Sequence, residues 1–481
     1  METQTYASYW KKELSIDLLD RNALLVVKRL RRAGHQAFLV GGCVRDILLG
    51  RRPKDFDVAT SARPNQVRRL FQRAITIGRR FKLVHVLFGD QRVEVATFRR
   101  LDTTDEADDE SDLLIREDNT FGTPEEDARR RDFSVNGLFY DPESEEVLDY
   151  VGGLDDLRDR VLRTIGDPNI RFREDPVRIV RAIKFAARLG LTIDPATYEA
   201  MARHRAQLAR SAAPRVAEEI ARLLLGGSAL ESFRMLADTD VLGVILPEVA
   251  AAIGRAASVD VGDGEPDPTP TPTPDSESDS SSGRPPQTSS SDVDVGPEGL
   301  FWRQLAALDA FRGDRAGVTR AVGFTVLYGP IIRQGLRAWS TSPDADQGTR
   351  IASLMRPFVE QRRLTRRELD QIRLNILTAP RFEPERFTPN ARRAMWERGY
   401  FSEAILFFAI DCMANRREAA VWRRWIEDDE KEKRSHKDTE TRRSEENRRE
   451  AKKQETGAIP GAEADAGPEP PREVPESAEP K

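Results

Sequence analysis

Only two cysteines, Cys43 and Cys412, and four histidines, His35, His85, His204 and His436, occur in the 481 residues. Two thiols cannot build a disulfide framework, and imidazoles at unrelated spacings do not make a structural zinc site or a histidine-rich metal hydrolase. Aromatic residues are 7% of the chain, charged residues are 33%, and no stretch approaches the ~20 continuous apolar residues of a membrane span. Met1 to Ser15 carries Lys11 and Lys12 but has no apolar run of signal-peptide length behind them. A cytoplasmic protein without membrane contact is expected, with roughly two to four domains at this length.

The formal net charge is −5, yet it is unevenly spread. Asp260 to Glu298 holds ten acids against Arg284 alone, and Ala458 to Lys481 holds six acids against Arg472 and Lys481. Both stretches are rich in Pro, Ser, Thr and Gly and too poor in large apolar residues to offset chain entropy, so they are expected to stay unfolded. The remainder carries +8, and within it Arg158 to Arg222 has fourteen Lys or Arg against eight Asp or Glu. A surface facing a polyanion is one reading of that excess; a set of solvated helix faces is the other.

Along the chain, Leu24, Val27 and Leu30 recur at helical spacing between Asp20 and Arg32, and Gly34 follows as a stop. His35 to Val40 reads as a strand running into Gly41-Gly42, and Val44 to Leu49 as a helix. Phe56 to Thr60 reads as a strand, Pro64 opens an amphipathic helix, and Leu83 to Phe88 with Arg92 to Thr97 form a hairpin about Gly89-Asp90. Arg100 to Asp118 is an acidic loop. After Gly153 the pattern is helical: Pro176 to Leu189, Ala196 to Leu208, Pro214 to Leu225 and Ala229 to Ala237, then again from Gly299 to about Glu430.

The most specific local feature is Gly41-Gly42-Cys43-Val44-Arg45-Asp46, followed by Asp55-Phe56-Asp57. Carboxylates at i and i+2 of a strand share one side of a sheet. So placed, Asp55 and Asp57 can hold a pair of Mg²⁺ ions that activate a hydroxyl and stabilise the leaving oxygens of a phosphoryl displacement. The glycines admit a close-lying triphosphate, the following helix offers its N–H groups, and Arg45 adds a charge-assisted contact. Further on, Glu174-Asp175-Pro176-Val177-Arg178 opens a helix, with Asp175 as the expected N-cap.

The run Phe38 to Thr60 (FLVGGCVRDILLGRRPKDFDVAT) resembles the signature of the class II tRNA nucleotidyltransferase and bacterial poly(A) polymerase family, within the DNA polymerase beta-like superfamily. The similarity continues through Val93 to Arg99, Glu126 to Asn136, Asp149 to Gly153 and Arg173 to Arg178, in the family's order. The resemblance implies an α+β multidomain chain: an N-terminal extension (1–20), a nucleotidyltransferase head of mixed sheet and helices (21–152), and an all-α neck for base recognition and RNA binding (153–250). A disordered acidic linker (251–298), a helical RNA-binding body (299–430) and a disordered charged tail (431–481) follow. The long linker departs from the family pattern.

The resemblance makes Asp55 and Asp57 the metal ligands, for Mg²⁺ with Mn²⁺ as a substitute. It makes Asp132 the further carboxylate, with Glu94 as the alternative. Gly41, Gly42, Arg45, Arg131, Arg178 and Arg181 would hold the nucleotide, and Asp175 with Arg178 would read the base. A carboxylate that accepts from an amino group and a guanidinium that donates to a ring nitrogen suit adenine and cytosine and mismatch uracil and guanine. Ile77 to Val86 (IGRRFKLVHV) resembles the segment that distinguishes bacterial poly(A) polymerases from CCA-adding relatives, and Gln361 to Asn375 and Glu403 to Trp425 resemble the body. The implied activity is template-independent transfer of AMP from ATP to RNA 3′ ends, by a cytoplasmic monomer that works alongside RNA-degradation factors. A CCA-adding or A-adding tRNA enzyme is the alternative, and a catalytically silent RNA-binding protein is the alternative of another class.

Overall fold

The computed structural model describes residues 16–78, 83–100, 121–254, 297–314, 318–338, 346–361, 363–382, 395, 398–423 and 425. Arg79 to Lys82, most of the acidic loop, nearly all of the 251–298 linker and the 431–481 tail lie outside them. The chain divides into Met1–Trp422 and Arg423–Lys481, and all that follows concerns the first unit.

Helix α1 (Arg21–Arg32) starts where the Asp20 carboxylate accepts from the Ala23 N–H, and it buries Ala23, Val26, Val27 and Leu30. Strand β1 (Ala37–Val40) then turns at Gly41, φ 73°, into the short helix α2 (Gly42–Leu48). Strand β2 (Asp57–Thr60) and helix α3 (Pro64–Leu70) follow, then β3 (Ala74–Ile77), β4 (Leu83–Phe88) and β5 (Gln91–Thr97). Helix α4 (Pro124–Arg129) opens on a capping box between Thr123 and Glu126 and precedes the hairpin β6 (Leu138–Asp141) and β7 (Glu146–Asp149). The seven strands form one sheet in the order β3-β4-β5-β2-β1-β6-β7. Strands β2 and β5 run parallel, and the other neighbours antiparallel.

Two expectations change here. Asp55 is not on the strand: β2 begins at Asp57, which pairs with Val40, and β1 turns away at Gly41, so residues 55 and 56 find no further ladder partner on β1. Strand β3 and the β6–β7 hairpin are additions that the sequence pattern did not show.

Register decides what shares a face. Val40, Asp57, Glu94, His85 and Ile75 form one cross-strand row from β1 to β3. Farther along the same face, Phe38, Ala59, Phe98 and Phe139 pack against Ala128 of α4. The Phe98 ring centroid lies 6.1 Å from that of Phe38 and 6.5 Å from that of Phe139. The apolar core of this face therefore stops at Val40, and the acidic row begins beside it.

The region after Gly153 holds α5 (Gly153–Arg158), α6 (Pro168–Glu174), α7 (Val177–Leu189), α8 (Pro195–His204), α9 (Ala213–Leu224), α10 (Ala229–Asp238), α11 (Val241–Ile245) and α12 (Pro247–Ala252). It is not wholly helical. Strands β8 (Val161–Leu162) and β9 (Thr192–Ile193) pair in parallel around α6 and α7, each too short to show a period of two. Gly153 is required where α5 meets the 134 turn, because a Cβ there would sit 2.2 Å from the Ser134 carbonyl oxygen. Helices α13 (Pro297–Asp314), α14 (Arg320–Ala338), α15 (Gln347–Glu360), α16 (Arg366–Thr378) and α17 (Phe401–Ala414) share a core that includes Phe301, Tyr328, Phe358, Phe382 and Phe401. Arg320 ties this layer to the preceding one through Glu218 of α9, and its Nε lies 2.8 Å from Glu368 of α16. Among the described residues no helix is long and apolar enough to cross a membrane.

Candidate active site

A cleft of about 810 Å³ opens between the end of the sheet and helices α7 and α9. Gly41, Gly42, Arg45, Asp55, Asp57, Arg131, Asp132, Asp175, Arg178 and Arg181 all line it, although they span 141 positions of sequence. Its size suits a nucleotide.

On the sheet side, Asp57 occupies the mouth of β2 directly across from Glu94 of β5. Burial, helped by the charges of Glu94 and then Asp55 against the opposing pull of Arg131, pushes the Asp57 carboxyl up to about 6. Asp57 thus sits between two like charges. Among the described residues no group of three or more His, Cys, Asp or Glu side chains would enclose a metal by protein ligands alone. The donor set nevertheless fits a hard divalent ion such as Mg²⁺, which takes one or two carboxylates and completes its shell with water and substrate phosphates. Cys43 plays no part in nucleophilic chemistry: burial pushes its thiol up to about 12, and the Sγ rests 3.3 Å from the Val40 carbonyl oxygen.

The glycine turn serves close packing. A Cβ on Gly41 would approach Arg131 Nη1 to 2.8 Å, so glycine lets that guanidinium lie across the turn. Arg131 is held there by the buried Asp127, to which Nη2 donates at 2.9 Å, and it stacks over Phe139. Arg45 lines the cleft but is engaged: it donates to Asp46 Oδ1 from Nε at 2.8 Å and from Nη2 at 2.6 Å, and to Asn136 from Nη1.

On the helix side Asp132 and Glu219 are held by cations. Asp132 accepts from Arg181 Nη2 at 2.6 Å and Nε at 2.9 Å, from Asn136 at 2.9 Å and from the Phe133 N–H at 2.9 Å. Burial opposes its charge, but Arg181 and these donors outweigh it and hold the carboxyl well below the usual range. Asp132 therefore borders the cleft with its charge paired, unlike Asp57. Asp175 is not the N-cap of α7, as its sequence position implied. It ends α6, Pro176 takes the cap position without a side-chain cap bond, and Asp175 Oδ2 instead accepts from Arg215 of α9 at 2.9 Å. The other oxygen, Oδ1, is buried and finds no hydrogen-bond partner among the described residues. Arg178 is fixed by Glu174 at 2.9 Å and by the Arg171 carbonyl at 3.1 Å. One unpartnered acceptor beside a clamped guanidinium results.

Sequence reasoning missed Lys184, Arg188, Arg215, Glu219 and Arg222, which also line the cleft. The first two continue the Arg178–Arg181 face of α7 at helical spacing, a signal that was readable. Glu219 lies on α9 and gathers three cations: Lys184 at 2.6 Å, Arg222 at 2.8 Å and Arg181 at 3.6 Å. No local pattern marks it. Arg188 reaches back from α7 to Asp46 of α2 at 3.1 Å, tying the helices to the sheet domain.

A mixed sheet that ends in carboxylates beside a glycine turn, facing basic helices, is the nucleotidyltransferase fold. Residues 37–163 match the family described as the Poly A polymerase head domain, and residues 190–253 the family described as the probable RNA and SrmB-binding site of polymerase A. The chain is 46% identical over 237 residues to Poly(A) polymerase I of Escherichia coli O157:H7, covering 48% of this chain and 51% of that protein. To the Haemophilus influenzae Poly(A) polymerase I it is 44% identical over 237 residues, 48% of this chain and 52% of the relative. To the CCA-adding enzyme of Bacillus subtilis it is 39% identical over 217 residues, 45% of this chain and 53% of the relative. The chain spans about half the length of the curated relatives it matches. The Bacillus stearothermophilus CCA-adding enzyme, solved with CTP, superposes with a TM-score of 0.55 at 24% identity over 85% of this chain and 81% of its own, a likeness of fold.

Proposed function

We propose that the chain is a template-independent polynucleotide adenylyltransferase, which joins AMP from ATP to the 3′-hydroxyl of RNA. The observation that carries the reading is the crowding of Asp55, Asp57 and Glu94 at the end of the sheet, in the same cleft as the open acceptor of Asp175. The 3′-oxygen bonds to the α-phosphorus, the bond from that phosphorus to the bridging oxygen breaks, and pyrophosphate leaves; the hydroxyl proton passes to solvent. Divalent cations, when bound, would lower the hydroxyl pKa and stabilise charge on the leaving oxygens. Asp55 and Asp57 would hold them, with Glu94 as the adjoining acid.

The chain's own residues account for binding and choice of base. Arg131 lies over the glycine turn, where a triphosphate would meet it, and Arg181 projects from α7 toward the same space. Asp175 Oδ1 would accept from the adenine amino group while Arg178 donates to a ring nitrogen. Because Glu174 and the Arg171 carbonyl clamp Arg178, it presents one fixed pattern, which leaves uracil and guanine wrongly paired. The fixed pattern alone does not separate ATP from CTP. Preference for ATP is supported by the higher identity to poly(A) polymerases than to the CCA-adding enzyme. Basic helices would hold the RNA through its phosphates, so binding should weaken steeply with salt.

The deciding experiment supplies each nucleoside triphosphate, with Mg²⁺, to an oligo(A) primer and to a tRNA lacking its 3′ end. Extension of oligo(A) with ATP alone is expected. CTP addition to the tRNA without oligo(A) extension would make it a CCA-adding enzyme, and absence of pyrophosphate release on every RNA would leave an RNA-binding protein.

A further inference from the structure

His85 lies in the Ile77 to Val86 segment, and its chemistry is not used by the reaction as described above. On β4 it stands opposite Glu94 of β5, which in turn stands opposite Asp57 of β2. Its Nε2 is 3.2 Å from Glu94 Oε1, and the imidazole is 12% exposed against 36% for the Glu94 side chain. With the proton on Nε2 the ring presents an N–H edge to that carboxylate, whether or not it is charged. Among the described residues Arg92 is the other cation paired with Glu94, at 3.9 Å, but its side chain is 61% exposed. An exposed, long contact of that kind does little to fix a rotamer.

We propose that His85 is a positioning residue: by donating to Glu94 from the neighbouring strand, it holds that carboxylate toward Asp57 and the cation site instead of toward solvent. The assignment rests on the reading of the acidic row as the reactive centre. The row itself supplies the logic. Glu94 is more than a third exposed, and the largely enclosed ring one strand away lies against its carboxylate. Partners that orient a metal-proximal acid are typically worth about 10–100-fold in metal affinity or activity. The contact also gives the Ile77 to Val86 segment a physical link to the reactive strand, through its second half.

The test compares His85→Ala, His85→Gln, Glu94→Gln and the double variant His85→Ala/Glu94→Gln. Single-turnover AMP incorporation should fall about tenfold in His85→Ala with the ATP KM within about twofold, and His85→Gln, whose amide can donate from nearly the same place, should recover most of the rate. In the Glu94→Gln background the His85→Ala change should add nothing. A readout free of metal and nucleotide accompanies these: with only four histidines in the chain, the His85 ring ¹⁵N–¹H signal is assignable from its loss in His85→Gln. In the wild type it should show a hydrogen-bonded Nε2 proton, and Glu94→Gln should shift it. Additive losses in the double variant, a raised ATP KM at unchanged turnover, a folded His85→Gln as slow as His85→Ala, or a ring signal indifferent to Glu94→Gln would each overturn the proposal. A wild type that transfers no AMP sinks the functional reading yet leaves the ring signal to judge the contact, so the two failures stay distinct.

Discussion

The two walls of the cleft treat acids in opposite ways. On the sheet wall Asp57 faces Glu94 and Asp55, and its carboxyl is pushed up to about 6 by burial and then by those charges. On the helix wall Asp132 and Glu219 are just as enclosed, but Arg181 and Lys184 respectively outweigh burial and hold them below the ordinary carboxylate range. Asp57 on one wall is electrostatically unfinished, whereas Asp132 and Glu219 on the other are paired. The contrast separates chemistry from construction: the helix wall is stable as it stands, whereas the sheet wall gains from a cation or a proton.

The contrast breaks most visibly through activity. Asp57→Ala should lower AMP incorporation by about a thousandfold or more while RNA affinity, measured by filter binding, stays near wild type. Retention of activity would move the reactive centre away from the sheet wall. Next in size is Asp132→Ala, which leaves Arg181 with Glu219 as its partner; a loss of about 1–3 kcal/mol of stability is expected in urea unfolding.

Asp57→Asn should do the reverse. A carboxyl whose folded value lies above its unfolded one binds protons more tightly when folded. It therefore loses stability as pH rises from about 4 through about 6, and the full penalty persists at neutral pH. Removing the charge should raise stability at pH 7 by on the order of 1–3 kcal/mol after solvent screening, at the expense of activity. A destabilised Asp57→Asn protein would show that the sheet wall is complete after all. The smallest effect is on the pH profile. Turnover at low cation concentration should fall as pH drops through about 6, and this limb should move to lower pH with more Mg²⁺, because ion and proton compete, and also in Glu94→Gln, which removes one cause of the shift. A limb that ignores both would detach it from Asp57.

The ten residues expected at the site all line one cleft; local chemistry marked the glycines, Arg45, Asp55 and Asp57, while the resemblance marked Arg131, Asp132, Asp175 and Arg178. What was hidden is what pairs across distance. Asp132 meets Arg181 across 49 positions, and Asp57 meets Glu94 only through strand register. The capping expectation for Asp175 followed a sound local rule but lost to Arg215, 40 positions on. The β6–β7 hairpin escaped because its turn has no glycine; Glu145 takes the left-handed conformation instead, φ 58°. Strand β3 escaped because it is a four-residue edge strand whose large apolar residues, Ile75 and Ile77, face outward.

The unfinished state of the sheet wall is open to direct observation by ¹³C-detected titration of the Asp57 side-chain carboxyl, with and without Mg²⁺ and a non-hydrolysable ATP analogue. A midpoint near 6 in the free protein, falling sharply when Mg²⁺ and nucleotide are added, is the predicted result. A midpoint in the ordinary aspartate range that does not move on addition would contradict the account.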